Sequence, residues 1–290
     1  MSQKQINSMK HALLLVVFSG VFFFPFRGNT QNLDAGVFLG LPSYSGDLSA
    51  TQVGLYFDDL RVGGGFFLRS QFSRRLGLRY GLHYGRVSGV RTTERANGYQ
   101  PNFRSDLFEA SAIAEVSPWT IGYYSSKIII APYLTAGLAL FRFNPRTLYR
   151  GEYIATQPLG TEGQGLPGYP APYRRLQFSV PVGIGIKFII SDTWTIGAEI
   201  TARKTFTDYL DDRSGNTVTY GDVVRGNGEL AARISNHYLD PTPENFDITY
   251  RRAGQFDDWY YFTGVTLSYR FQSARTIYKP GLNGVICPRF

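Results

Sequence analysis

The stretch RLQFSVPVGIGIKFII, residues 175–190, continues through Ser191-Asp192 into TWTIGAEITARKTF, residues 193–206. In the first run Leu176, Phe178, Val180, Val182, Ile184, Ile186, Phe188 and Ile190 alternate with Gln177, Ser179, Pro181, Gly183, Gly185 and Lys187. In the second, Trp194, Ile196, Ala198, Ile200 and Ala202 alternate with Thr195, Gly197, Glu199, Thr201 and Arg203. A period of two puts each set on its own side of a strand, so the pair reads as an amphipathic β-hairpin. Strands of soluble sandwiches alternate too, but their polar side looks at bulk water and has little use for so many glycines. The interior of a small membrane barrel does, because side chains from every strand converge there.

The same alternation recurs along the chain. It runs over Leu33–Gly40, Gly64–Phe72, Leu76–Gly85, Leu107–Val116, Lys127–Phe143, the two runs above, and Trp259–Phe271, which makes eight strands. Their connections sort by length. Short links at 73–75, 117–126 and 191–192 alternate with long ones at 41–63, 86–106, 144–174 and 207–258. Short turns at one end and long loops at the other is the pattern of an outer-membrane barrel, with turns in the periplasm and loops outside. The expected fold is therefore all-β: an eight-stranded antiparallel transmembrane β-barrel of the outer membrane with four long extracellular loops.

Composition agrees. Aromatic residues are 16% of the chain, with 20 Tyr, 22 Phe and 32 Gly but only 2 Met, a profile of strands, interfacial girdles and turns. Lys4 and Lys10 precede the apolar run Ala12–Phe24, and small residues stand before Gln31, so residues 1–30 read as an export signal. The barrel then occupies 31–271 and a tail 272–290. Removing Lys4, Lys10 and Arg27 with the signal lowers the formal charge from +8 to +5, a mild and dispersed excess that does not suggest nucleic acid. Cys287 is the single cysteine, so no internal disulfide forms. Both ends of an even-stranded barrel lie on one side, here the periplasm.

If the apolar faces meet lipid, the lumen receives Asp34, Glu109, Glu115 and Glu199 together with Arg69, Arg79, His83, Lys187 and Arg203. Charges crowded into so narrow a space must pair, so they read as a network closing the lumen. Catalysis is not expected: after the signal only His83 and His237 remain as imidazole bases, and no Ser/His/acid set lies on one face. No cofactor is implied. Asp208, Asp211 and Asp212 cluster oxygens at the barrel mouth, yet their spacing is not that of an EF-hand and turn acids commonly bond their own backbone. The loop Gln157–Gly165, followed by Leu166-Pro167-Gly168-Tyr169-Pro170, reads as a contact surface. In the tail, Arg275, Lys279 and Arg289 carry charge without any acid, and Tyr278 and Phe290 offer apolar anchors, so these five are candidate partner contacts.

Several segments, namely Tyr44-Ser45-Gly46-Asp47-Leu48, Phe143-Asn144-Pro145, Gln157–Gly165, the run from Arg203 to Asp212 and Asp258–Gly264, resemble the PorG-like (DUF6089-type) small outer-membrane barrels of Bacteroidetes. That resemblance implies a non-enzymatic accessory component of the type IX secretion system and its associated gliding motility, contacting the periplasmic ring proteins or lipoproteins of the machine. Outer-membrane lipids and lipopolysaccharide would be its surroundings. The residues alone leave open a free-standing barrel acting as adhesin, receptor or envelope stabiliser.

Overall fold

The computed structural model describes residues 32–48, 61–73, 75–90, 102–121, 128–252 and 257–271. The expected signal, the tail with Arg275, Tyr278, Lys279, Arg289 and Phe290, and Cys287 lie outside the described residues. Among the described residues there are eleven strands: β1 Asn32–Ser45, β2 Gly63–Gln71, β3 Leu76–Val90, β4 Asn102–Val116, β5 Ile129–Tyr149, β6 Glu152–Ala155, β7 Leu176–Ile189, β8 Trp194–Thr205, β9 Thr217–Thr219, β10 Thr249–Arg251 and β11 Trp259–Phe271. Eight of them close on themselves in the order β4-β3-β2-β1-β11-β8-β7-β5, with β5 returning to β4, and every pairing is antiparallel. The expected barrel is the fold.

Outward residues are apolar and bare. Phe66 is 71% exposed, Leu138 67% and Leu82 65%, values that only a lipid environment makes favourable over so continuous a belt. Aromatic side chains gather near both rims, with Trp119, Trp194, Tyr269 and Phe271 at the turn end and Tyr84, Phe108 and Phe206 at the loop end. The short turns share one device. Ser73 Oγ accepts from the N–H of Leu76 at 3.1 Å, and Ser191 Oγ accepts from the N–H of Trp194 at 3.0 Å. The hydroxyl thus satisfies a turn amide that would otherwise need water.

Four strands run well past the ends expected from alternation. β3 continues to Val90, β4 begins at Asn102, β5 extends to Tyr149 and β1 to Ser45. The reason is physical: ladder hydrogen bonds persist above the hydrocarbon layer, while the outward side chains there no longer need be apolar. The links 144–174 and 207–258 are likewise not bare loops. The first holds β6 and a single 3₁₀ turn at Gln157–Leu159, and the second holds β9, helix α1 (Tyr220–Asn227), helix α2 (Glu229–Ser235) and β10.

Candidate functional site: a charged lumen beneath an acidic mouth

Inward positions of the barrel strands bring the expected lumen residues together. Asp34, Arg69, Arg79, His83, Glu109, Glu115, Lys187, Glu199 and Arg203 are all at least nine-tenths buried. Near the turn end Glu115 receives Arg69 Nε at 2.8 Å, Arg79 Nε at 3.2 Å and Lys187 Nζ. Arg79 also forks onto Glu199, at 2.6 and 3.2 Å, which in turn accepts from the Tyr133 hydroxyl at 2.7 Å. Higher up, Arg203 forks onto Glu109 at 3.0 and 3.3 Å and Tyr260 donates to it at 2.8 Å, while His83 Nδ1 stands 3.4 Å away. Paired guanidinium forks of this geometry are the strong class of charge-assisted bond. Arg270, unanticipated from the sequence, forks onto Asp34 at 2.8 and 3.3 Å from its inward place on β11.

Rings fill what the ion pairs leave. A Cβ added at Gly36 would stand 2.3 Å from the Phe67 ring, and one at Gly185 would stand 2.3 Å from the Tyr133 ring. Inner-wall glycines are therefore seats for aromatic side chains reaching across from neighbouring strands. Above the charges, Phe38, Leu107, Phe141, Phe143, Tyr260 and Phe262 belong to one buried apolar cluster that continues to Tyr44, Leu48 and Leu210 at the mouth.

At that mouth four carboxylates converge, Asp47 from the link after β1, Asp208 and Asp211 from the link after β8, and Asp258 from the foot of β11. Tyr44 Oη lies 2.8 Å from Asp211 Oδ2 and 3.0 Å from Asp258 Oδ1. A phenol has one proton to donate, so both contacts are bonds only when one carboxyl is itself protonated. The electrostatics agree: burial, then Asp211 and Asp208, push Asp258 well above the usual carboxylate range. Asp208 is pushed up to about 8 by burial and by Asp47 and Asp211. One oxygen each of Asp47, Asp208 and Asp258 lies within 4.8 Å of the others, so these three, and not Asp208, Asp211 and Asp212, are the oxygen ligands that could hold a hard cation. Asp212 turns away. It accepts from Thr161 at 2.6 Å and Tyr173 at 2.6 Å and pairs with Arg252 at 3.3 Å.

The Gln157–Gly165 segment departs from its expected role as a contact surface. Thr161, Glu162 and Gln164 are buried, Glu162 accepts from the Ser214 amide at 2.8 Å, and Asn227 at the end of α1 donates to the Gly160 carbonyl at 2.6 Å. Its left-handed glycines Gly160, Gly163 and Gly165 turn the chain inward, where it braces a small cap. The cap has an apolar centre of its own, built from Val218, Tyr220, Val223, Ala231 and Ala232.

A closed barrel with a lipid-facing belt and a lumen stopped by its own side chains defines the class: a small outer-membrane β-barrel. Within that class the chain belongs to the family DUF6089, a domain of unknown function, whose model matches residues 11–233. No curated protein matches the sequence. Among solved structures the chain is similar to the outer membrane protein OprG from Pseudomonas aeruginosa, with 10% identity over 84% of this chain and 96% of that one and a TM-score of 0.39. It is similar as well to Neisserial surface protein A, with 11% identity over 82% and 97% and a TM-score of 0.38. A third is Ail, the attachment invasion locus protein of Yersinia pestis, in complex with the heparin analogue sucrose octasulfate, with 11% identity over 83% and 99% and a TM-score of 0.37.

Proposed function

We propose that this barrel is a non-enzymatic accessory or assembly component of the type IX secretion system and its associated gliding motility. In this reading it anchors the periplasmic ring of the machine to the outer membrane. The observation that carries the reading is that the segments resembling the PorG-like barrels meet in space: Tyr44 bonds Asp211 and Asp258, and Glu162 and Asp212 lock the Gln157–Gly165 segment to the mouth. A barrel whose lumen is filled by ion pairs serves as an anchor better than as a conduit. Both chain ends then lie in the periplasm, where the tail residues Arg275, Tyr278, Lys279, Arg289 and Phe290 would meet ring proteins.

A deletion strain tests this. Loss of cargo secretion and of surface motility, restored by the full-length gene, is the expected result; unchanged secretion and motility would remove the reading. A folded cap on the loop end favours one other reading, a free-standing adhesin or receptor, for which the same strain would keep secretion and lose surface binding.

A further inference from the structure

We propose that the loop-end rim of the β3–β4–β5–β7 wall is a docking surface for the phosphate groups of a membrane lipid, held at the level where its acyl chains end. The outward faces of these strands change character at one line. Tyr84, Phe108, Arg142 and Leu176 are consecutive partners across the sheet, and the next outward residues toward the loops are Arg86, Asp106 and then Arg104, Asn144 and then Arg146, and Arg174. Below the line the outward side chains are Leu82, Ala110, Leu138, Leu140 and Phe178, an unbroken apolar band. Among the described outward residues, Arg142 stands on the line and four more arginines and one acid stand above it.

The single carboxylate does not balance them. Asp106 accepts from Arg86 Nε at 2.6 Å and from the Tyr84 hydroxyl at 3.0 Å, and no other ion pair involves Arg104, Arg142, Arg146 or Arg174 among the described residues. Arg104 and Arg146 are direct cross-strand partners on the same face, a juxtaposition of like charges that destabilises a sheet unless an anion lies between them. Their Nε groups are both shielded from water without any hydrogen-bond acceptor. Arg104 is held in place by the Tyr153 ring, 3.5 Å from its guanidinium carbon. On β8 the outward Lys204 is by contrast neutralised by Asp257 at 2.8 Å.

Planar guanidinium forks match phosphate oxygens. A soluble anion could reach charges anywhere on the caps, but these lie flush with the lipid-facing belt, where an approaching group must bring acyl chains with it. That argument selects a phosphorylated lipid over a free phosphate, and it stands whether or not the secretion reading does.

The test uses the full chain in zwitterionic lipid nanodiscs, with bis-phosphorylated lipid A as probe and retention read by native mass spectrometry. Basic residues near an anionic surface change binding by about fivefold each, so R104Q/R142Q/R146Q should bind on the order of a hundredfold more weakly. Heat-modifiable gel migration reports whether that variant folds; if it does not, R142Q alone should still show the fivefold loss. Lipid A stripped of its phosphates should bind the wild type as weakly as intact lipid A binds the triple variant, and K204Q should bind as wild type. Equal binding of stripped and intact lipid, wild-type binding by the arginine variants, or an equal loss in K204Q would each overturn the proposal, the last by reducing it to net charge. Full displacement by inorganic phosphate at an equal concentration would overturn it too, by making the band a soluble-anion site.

Discussion

Glu109 is the residue on which the upper lumen turns, since it accepts from Arg203 and Tyr260 at once with His83 Nδ1 3.4 Å away. Replacing Arg203 by Met leaves a buried carboxylate short of its main partner, a change that costs roughly 3–5 kcal/mol in comparable sites. Replacing both, as E109Q/R203M, removes the uncompensated charge and should restore most of that loss. Urea unfolding in micelles, followed by the gel shift between folded and unfolded barrel, measures both, and equal stability of R203M and wild type would show that the pair is not holding the lumen. A second residue-scale effect sits outside the membrane. Asp208 faces Asp47, Asp211 and Asp258, with Glu162 further off and only the Gly215 amide at 3.2 Å opposing them, and Arg213 and Arg252 act on Asp211. An acid with a raised folded value holds its proton more tightly when folded, so its contribution is full below the ordinary carboxylate range and is lost as pH rises to about 8. Glu162, pushed up to about 7 by burial despite Arg252, adds to the same slope. Hydrogen exchange of residues 207–216, corrected for intrinsic rates, should therefore be slower at pH 5 than at pH 8.5, and D208N should flatten the difference. A slope of the opposite sign would mean that the mouth holds its carboxylates ionised.

Among the elements, the cap is the part that can be separated from the barrel. A Cβ at Gly221 in α1 would stand 2.7 Å from both the Phe246 Cβ and its carbonyl oxygen, and backbone cannot swing aside as a side chain can. Gly221→Val should therefore cost roughly 1–3 kcal/mol of local stability, as overpacking does. Limited proteolysis should open the segment 217–252 while heat-modifiable migration stays unchanged; loss of both would tie the cap to barrel assembly. The contrast between cap and barrel also explains what could be read beforehand. Barrel strands announce themselves because lipid on one side and a crowded lumen on the other force a strict period of two, and the same parity that gives Lys187, Glu199 and Arg203 gives Arg270. Helices α1 and α2 have eight and seven residues, and Gly221 and Gly226 within α1 mask its helical character, so the segment looked like loop. The mouth was illegible for another reason. Tyr44, Asp47, Asp208 and Asp258 are more than 150 residues apart at the extremes, and nothing local says that they meet. The long-loop ends of β3, β4 and β5 were missed because the outward arginines break the alternation where the hydrocarbon stops.

For the whole molecule, the arrangement amounts to a stopper in two layers, ion pairs below and aromatic rings above, enclosed by a wall of eight strands. An interior of this size is just filled by side chains even without charges. Here Glu115 is wedged among Arg69, Arg79 and Lys187, and Phe67 and Tyr133 lie across the glycines that would otherwise leave gaps. A water column would have to part bonds that are nearly all charge-assisted, each worth roughly 1.5–3 kcal/mol. Verified monomeric protein in planar bilayers should accordingly give no stable porin-like steps. The cap must be tested apart from the lumen, because a folded lid could mask an open pore. Replacing residues 214–252 by a short Gly/Ser linker removes α1, α2 and their apolar centre but leaves every lumen ion pair in place. That variant should remain silent as well. Steady conductance in the wild type would mean that the lumen holds a continuous aqueous path, whereas conductance only after the replacement would move the seal from the barrel interior to the cap.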